Sequence, residues 1–149
     1  MNRRQKALLT ESMLVLAATA LAVVGMMHLR DYINRSEAMR AMGQLGRRVL
    51  DYRRQHGSLP PESFINSIKG DLEGSLRLGN VRYRALYIGL DAPAETILAY
   101  SERKYSSFFV DDGYVVLHLD GTAKWIPAKQ FPGLYLKQRT PDEPELQRK

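Results

Sequence analysis

The chain contains no cysteine, which excludes disulfides, a thiolate nucleophile and any cysteine-ligated zinc site. Histidine is nearly as scarce. The three present, His28, His56 and His118, lie too far apart in sequence to share the short helical spacing that holds a metal. No proline occurs before Pro60, so nothing in the first third of the chain forces a helix to break. A phosphate loop, a Ser-His-Asp order and a paired-carboxylate motif are also missing. These absences argue against an enzyme, and no catalytic residue, cofactor, metal or small-molecule substrate is expected.

What is present is unevenly distributed. Apolar residues make up 44% and charged residues 26%, which disfavours a disordered chain, and a mean hydropathy of -0.34 excludes a polytopic membrane protein. With 149 residues there is room for one ordinary domain and appendages. The net charge of +6 comes from the N-terminal third: residues 1–30 carry +3, residues 31–57 another +3, residues 58–135 carry -1 and residues 136–149 carry +1. A pI near 9.7 is therefore a property of the N-terminal region, and no nucleic acid is expected as a partner. Arg40, Arg47 and Arg54 repeat every seven residues, a stripe that reads as a solvated helix face before it reads as a phosphate grip.

Ser12 to Leu29 (SMLVLAATALAVVGMMHL) is an 18-residue run without formal charge, at the lower edge of what crosses a hydrocarbon core at about 1.5 Å per residue, and Ala7 to Leu9 extend it beyond Glu11. Arg3, Arg4 and Lys6 precede it, and the positive-inside rule keeps such a tail in the cytoplasm, with the rest of the chain outside. A cleavable signal peptide is the rival reading, since Ala18-Thr19-Ala20 and Ala20-Leu21-Ala22 fit the cleavage rule. Apolar character continues past both sites through Val23, Val24, Met26 and Met27, which favours the anchor.

Beyond it, Ala38, Met42, Leu45, Val49 and Tyr52 are spaced 4, 3, 4, 3 and line one helix face. Anchor and stem are expected to form one helix from about residue 7 to 55, ended by His56-Gly57 and by Pro60-Pro61. Phe64 to Lys69 is a short helix candidate. Val81, Tyr83, Ala85 and Tyr87 alternate with polar residues as in a strand, and Thr96 to Tyr100 is a second strand. Tyr114 to Leu119 and Thr122 to Ile126 flank Asp120-Gly121, a hairpin signal whose two-residue turn would place Val116 opposite Trp125. The divisions that follow are a basic leader at 1–6, a transmembrane helix at 7–29, an amphipathic stem at 30–57, a β-rich domain at 58–135 and a disordered charged tail at 136–149.

An apolar N-terminal helix continuing into an amphipathic stem and then a small antiparallel sheet resembles the type IV pilin and type II secretion pseudopilin family. KALLTESMLVLAATALAVVG, beginning at Lys6, is similar to the family's N-terminal signature with its single glutamate, here Glu11. YRRQHGSLPPE, Tyr52 to Glu62, resembles the end of its long helix. ILAYSERK and the later VVLHLDGTAKWIP resemble its C-terminal strands. The resemblance implies an α+β fold, a structural subunit of a secretion or filament apparatus in the inner membrane, and Glu11 as the assembly residue, paired with a neighbouring subunit's amine. Partners would be the lipid bilayer and other pilin-like subunits or further copies of the chain. At the place of the glycine that the family's leader peptidase requires stands Lys6, so the leader Met1 to Lys6 is expected to stay attached.

Read from the residues alone, Glu11 either reaches the membrane interface or pairs with Lys6. Asp111, Asp112 and Asp120 would offer calcium ligands if they gathered at one end of the last hairpin, although adjacent aspartates beside Gly113 more often form a turn. The competing functional class is a membrane-tethered binding module that meets its ligand through Tyr83, Tyr87, Tyr100 and Tyr114.

Overall fold

The computed structural model describes residues 3–105, 110–144 and 146. Helix α1 runs without interruption from Arg3 to His56, 54 residues or about 80 Å at the standard rise. It ends where the sequence places the stop. Gly57 adopts φ +69° and its N–H returns to the Arg53 carbonyl at 2.9 Å, a left-handed cap that glycine enters without a Cβ clash. Arg53, Arg54 and His56 in the last turn complement the negative end of the helix dipole.

Three short segments follow the cap: α2 (Glu62–Lys69), α3 (Ser75–Leu78) and β1 (Val81–Tyr83). Three longer strands, β2 (Ile97–Arg103), β3 (Gly113–His118) and β4 (Ala123–Pro127), complete an antiparallel sheet in the order β1-β2-β3-β4. The chain then forms α4 (Phe131–Gln138). The molecule is α+β, a long N-terminal helix with a small four-stranded antiparallel sheet.

The stem half of α1 lies on one face of this sheet. Ala38, Ala41, Met42, Leu45 and Val49 are buried with Leu98, Ala99, Val115 and Leu117, so the expected stripe is the core face and Ala41 widens it. Tyr52, at the far end of the stripe, is half-buried, stacks on His56 with ring centroids 4.0 Å apart and meets Phe64 at a tilt with centroids 4.8 Å apart. On the opposite sheet face, Tyr100, Val116 and Ile126 pack with Phe131 and Tyr135 of α4. The sheet is thus covered on both sides.

Three expectations are corrected. The last hairpin pairs Val115 with Trp125 and Val116 with Lys124, one residue out of the two-residue-turn register. Its loop holds three residues, Leu119, Asp120 and Gly121, and only Gly121 takes a positive φ, at +83°. A type I′ turn would need Asp120 in that region too; the three-residue loop spares it, and Asp120 instead accepts hydrogen bonds from the Thr122 N–H (2.8 Å) and hydroxyl (2.6 Å). Tyr87 is not in a strand: β1 ends at Tyr83 and Ala85–Tyr87 form a 3-10 turn. Finally, residues 136–144 are not a loose tail. Helix α4 crosses the boundary at 135, and Glu143 is 3% exposed against Arg84.

Candidate functional site

The surface that most needs explaining is the N-terminal half of α1. Apolar residues on every side of the helix are bare: Met13, Leu14, Leu16 and Leu21 are 69–74% exposed, and none of the most apolar 18-residue window is buried. A single apolar stretch of this length is a candidate membrane span, by length and composition. Burial begins abruptly at Asp31, two residues after Leu29, and continues along one stripe from Ala38.

Glu11 lies in the bare half, 20 residues or about 30 Å before Asp31. Among the described residues no ion pair joins it to Lys6. Five residues apart on a helix, the two side chains leave from different faces. The Lys6 carbonyl is used locally, by the Thr10 hydroxyl at 2.9 Å. A carboxylate within an apolar helix surface, with no ion-pair partner among the described residues, is what a helix-to-helix contact would have to satisfy.

The other candidates separate in space. Asp111 and Asp112 precede β3 and Asp120 follows it, so six strand residues, about 20 Å, keep them from one site. Asp112 instead accepts the Tyr105 N–H at 2.7 Å. The histidines are equally dispersed: His56 Nδ1 meets the Tyr52 carbonyl at 3.1 Å, His118 Nδ1 meets the Thr122 hydroxyl at 3.3 Å, and His28 is on the bare helix. Burial, and then the charge of Lys124, hold His118 below the usual imidazole range. Arg40 pairs with Glu73 at 3.7 Å and Arg54 with Asp51 at 3.5 Å, while Arg47 is exposed, as a solvated face requires.

Three of the four tyrosines, Tyr83, Tyr87 and Tyr100, line one cleft of about 390 Å³ at the edge of the sheet beside Arg84 and Glu143, and Tyr114 is not among its lining. Tyr83 is on the stem side of the sheet, where its hydroxyl donates to the Pro60 carbonyl at 2.9 Å and burial pushes its pKa up. Tyr100 and Tyr114 pack under α4, with Tyr114 stacked on Phe131 at 3.9 Å. A second cleft, of about 440 Å³, lies at the far end of the stem, lined by Tyr52, Leu59, Pro61, Tyr83, Leu86 and Leu90 among others. Arg53 closes one side of the region by donating to the Leu90 carbonyl at 2.8 Å.

Sequence reading missed a buried arginine held by four hydrogen bonds. Arg84 is 2% exposed, and its guanidinium donates to both Glu143 oxygens (2.5 and 2.8 Å), to the Ile97 carbonyl (2.7 Å) and to the Gln138 carbonyl (2.9 Å). It also lies over the Tyr135 ring, 4.9 Å from its centroid. Burial alone would raise the Glu143 carboxyl, but the hydrogen bonds and charge of Arg84 outweigh it and bring the group below the usual range. The arrangement is a fork that ties the end of the chain to the sheet.

A scan against protein-family models, a search of curated proteins and a search of solved structures each returned no match.

Proposed function

We propose that this protein is a pilin-like or pseudopilin-like structural subunit, held in the inner membrane by α1 with its sheet domain on the extracytoplasmic side. It assembles in a secretion or filament apparatus by packing the bare half of that helix against copies of itself or related subunits. One observation carries the reading. A single uninterrupted helix of 54 residues is sheathed by the sheet along its second half and wholly bare along its apolar first half. A helix used only as a tether has no need to continue rigidly into the domain; a subunit that transmits packing from membrane to domain does. Glu11 is then the carboxylate that a neighbouring subunit satisfies.

Because the chain has no cysteine, introduced ones report without background. Single replacements such as Val15→Cys and Leu21→Cys, cross-linked in native membranes, are expected to give ladders of the chain with itself or with other pilin-like subunits. Glu11→Leu should weaken those ladders and leave the domain folded. A second reading, a membrane-tethered binding module, is favoured by the cleft between Tyr52, Pro61 and Leu86. An exclusively monomeric pattern at native expression would reject the assembling subunit and leave the module.

A further inference from the structure

The end of the sheet domain nearest the bare helix has the composition of a membrane interface. The chain's only tryptophan, Trp125, is half-buried there, with the Arg35 guanidinium 4.4 Å from its ring centroid and Tyr105 5.8 Å away. Lys104 stands beside Tyr105 with 58% of its side chain exposed, and Tyr32 is 65% exposed on α1. Tryptophan and tyrosine favour the headgroup level, where an apolar ring and a polar edge are both satisfied; Trp125 and the exposed Tyr32 suit that level, while Tyr105, whose hydroxyl is buried, only backs the Trp125 ring. The far end of the domain also carries aromatic and basic residues, Tyr52, Tyr83, Arg53 and Arg54, but no tryptophan, and Tyr52 lies about 35 Å of helix beyond Leu29. Gly121 meets Leu50 there, and Leu86, at 87% exposure, lies beside the cleft.

Heights along α1 place this rim. From Leu29, the last residue of the apolar run, Arg35 is six residues on, about 9 Å, and the buried Asp31 is about 3 Å on. The headgroup layer beyond the hydrocarbon is about 5 to 8 Å deep on each side, so Tyr32, about 4.5 Å past Leu29, lies within it and Arg35 stands at its outer edge. No stretch of free stem therefore separates membrane from domain. Charges at the rim are mixed, with Arg35, Arg103 and Asp31 around Tyr105 and Lys104 paired with Glu102 at 3.6 Å, which suits the paired charges of zwitterionic headgroups.

We propose that this rim, Trp125 beside Arg35 with Tyr32 and Lys104, seats against the phospholipid headgroup layer of the bilayer that α1 crosses. The inference rests on α1 being a membrane anchor. Seating fixes the height of the domain over the membrane, and it leaves the cleft facing away from the lipid. Subunits would meet one another with their sheets already level.

Collisional quenching tests this on the full chain reconstituted in phosphatidylcholine vesicles that carry nitroxides either at the headgroup or deep in the acyl chains. Trp125 needs no substitution. Its fluorescence should be quenched several-fold more by headgroup nitroxide than by deep nitroxide, and a fluorophore on Lys104→Cys should follow it. A fluorophore on Leu86→Cys should be quenched by neither, and one on Leu16→Cys chiefly by the deep nitroxide. If Trp125 and the Lys104→Cys label are as unquenched as the Leu86→Cys label while Leu16→Cys responds, the anchor stands and the seating is refuted. If Leu16→Cys is also silent, the anchor itself fails and the seating falls with it.

Discussion

At Gly46 the backbone of α1 closes on the β3–β4 hairpin, and replacing it separates helix propensity from packing. A Cβ at this position would lie 2.7 Å from Leu117 Cδ1 and closer still to the Gly121 carbonyl oxygen. That oxygen has little room to retreat. Gly121 sits at φ +83° in the hairpin loop, its N–H is bonded to the His118 carbonyl at 3.0 Å, and Leu50 closes on its other side. In Gly46→Ala the helix gains about 1 kcal/mol from the better residue, and the overpacked contact costs about 1 to 3 kcal/mol. Gly43, one turn earlier, has no atom within 4 Å of its notional Cβ, so Gly43→Ala takes the same helix gain without the clash. The difference between the two variants isolates the steric cost, and Gly46→Ala should be the less stable by about 1 to 3 kcal/mol. Urea unfolding of the full chain in detergent micelles, read by the single tryptophan, Trp125, measures both. A Gly46→Ala variant as stable as Gly43→Ala would refute the close approach of helix and hairpin.

Removing Arg84 strands a buried carboxylate, so Arg84→Ala should cost about 3 to 5 kcal/mol in thermal or urea denaturation. The paired apolar replacement Arg84→Met with Glu143→Leu should recover most of that loss. His118 makes stability depend on pH near neutrality. Its folded pKa is depressed by burial and then by Lys124, so the unfolded chain binds a proton near the reference value of 6.5 that the folded chain still refuses. Stability should therefore hold above that value and fall as pH drops through it, by at most about 1.4 kcal/mol per pH unit from this one group. His118→Gln should flatten the fall in a series of urea titrations, and an unchanged profile would dissociate the effect from His118.

The long helix was the most legible part of the chain because its signals are local. Its apolar run, the 4, 3, 4, 3 spacing from Ala38 and the Gly57 stop lie within one continuous segment, and the structure places all three in α1. The hairpin was legible as a pair of strands, but its register was not. Both faces of β3 are covered, one by the stem and one by α4, so Val115, Val116 and Leu117 are all buried and no alternation marks the core side. Only the loop chemistry distinguishes the registers, and a one-residue difference there moves Trp125 to the opposite face. Helix α4 was hidden by its composition. Its sequence FPGLYLKQ opens with Pro132 and Gly133 in the first turn and leads into charged residues that resemble a tail, so Tyr135 looked like the end of the domain. The Arg84 to Glu143 fork joins residues 59 apart and follows no periodicity, which leaves a lone arginine among strand-like alternation as its only trace.

The bare and sheathed halves of α1 are related by a change of pattern. Up to Leu29 apolar residues occupy every side of the helix, as a lipid solvent allows; from Ala38 they keep to one stripe, as a sheet on one side demands. Between them, Arg30, Asp31, Arg35 and Glu37 hold charges that neither hydrocarbon nor core would accept unpaired. Arg35 is covered by Trp125 and Glu37 is bridged by Arg77 at 3.3 Å, so the sheet and α3 grip the helix from its first turns beyond the apolar run. Gly46 then sets the rotation of that grip, because a shift of one residue along the helix turns each side chain by about 100° and would place a side chain where Gly121 now meets bare backbone. Height and rotation of the sheet relative to the bare half are therefore fixed by the same continuous helix. Any surface the bare half packs against determines, through that helix, which side of the sheet domain faces the neighbour.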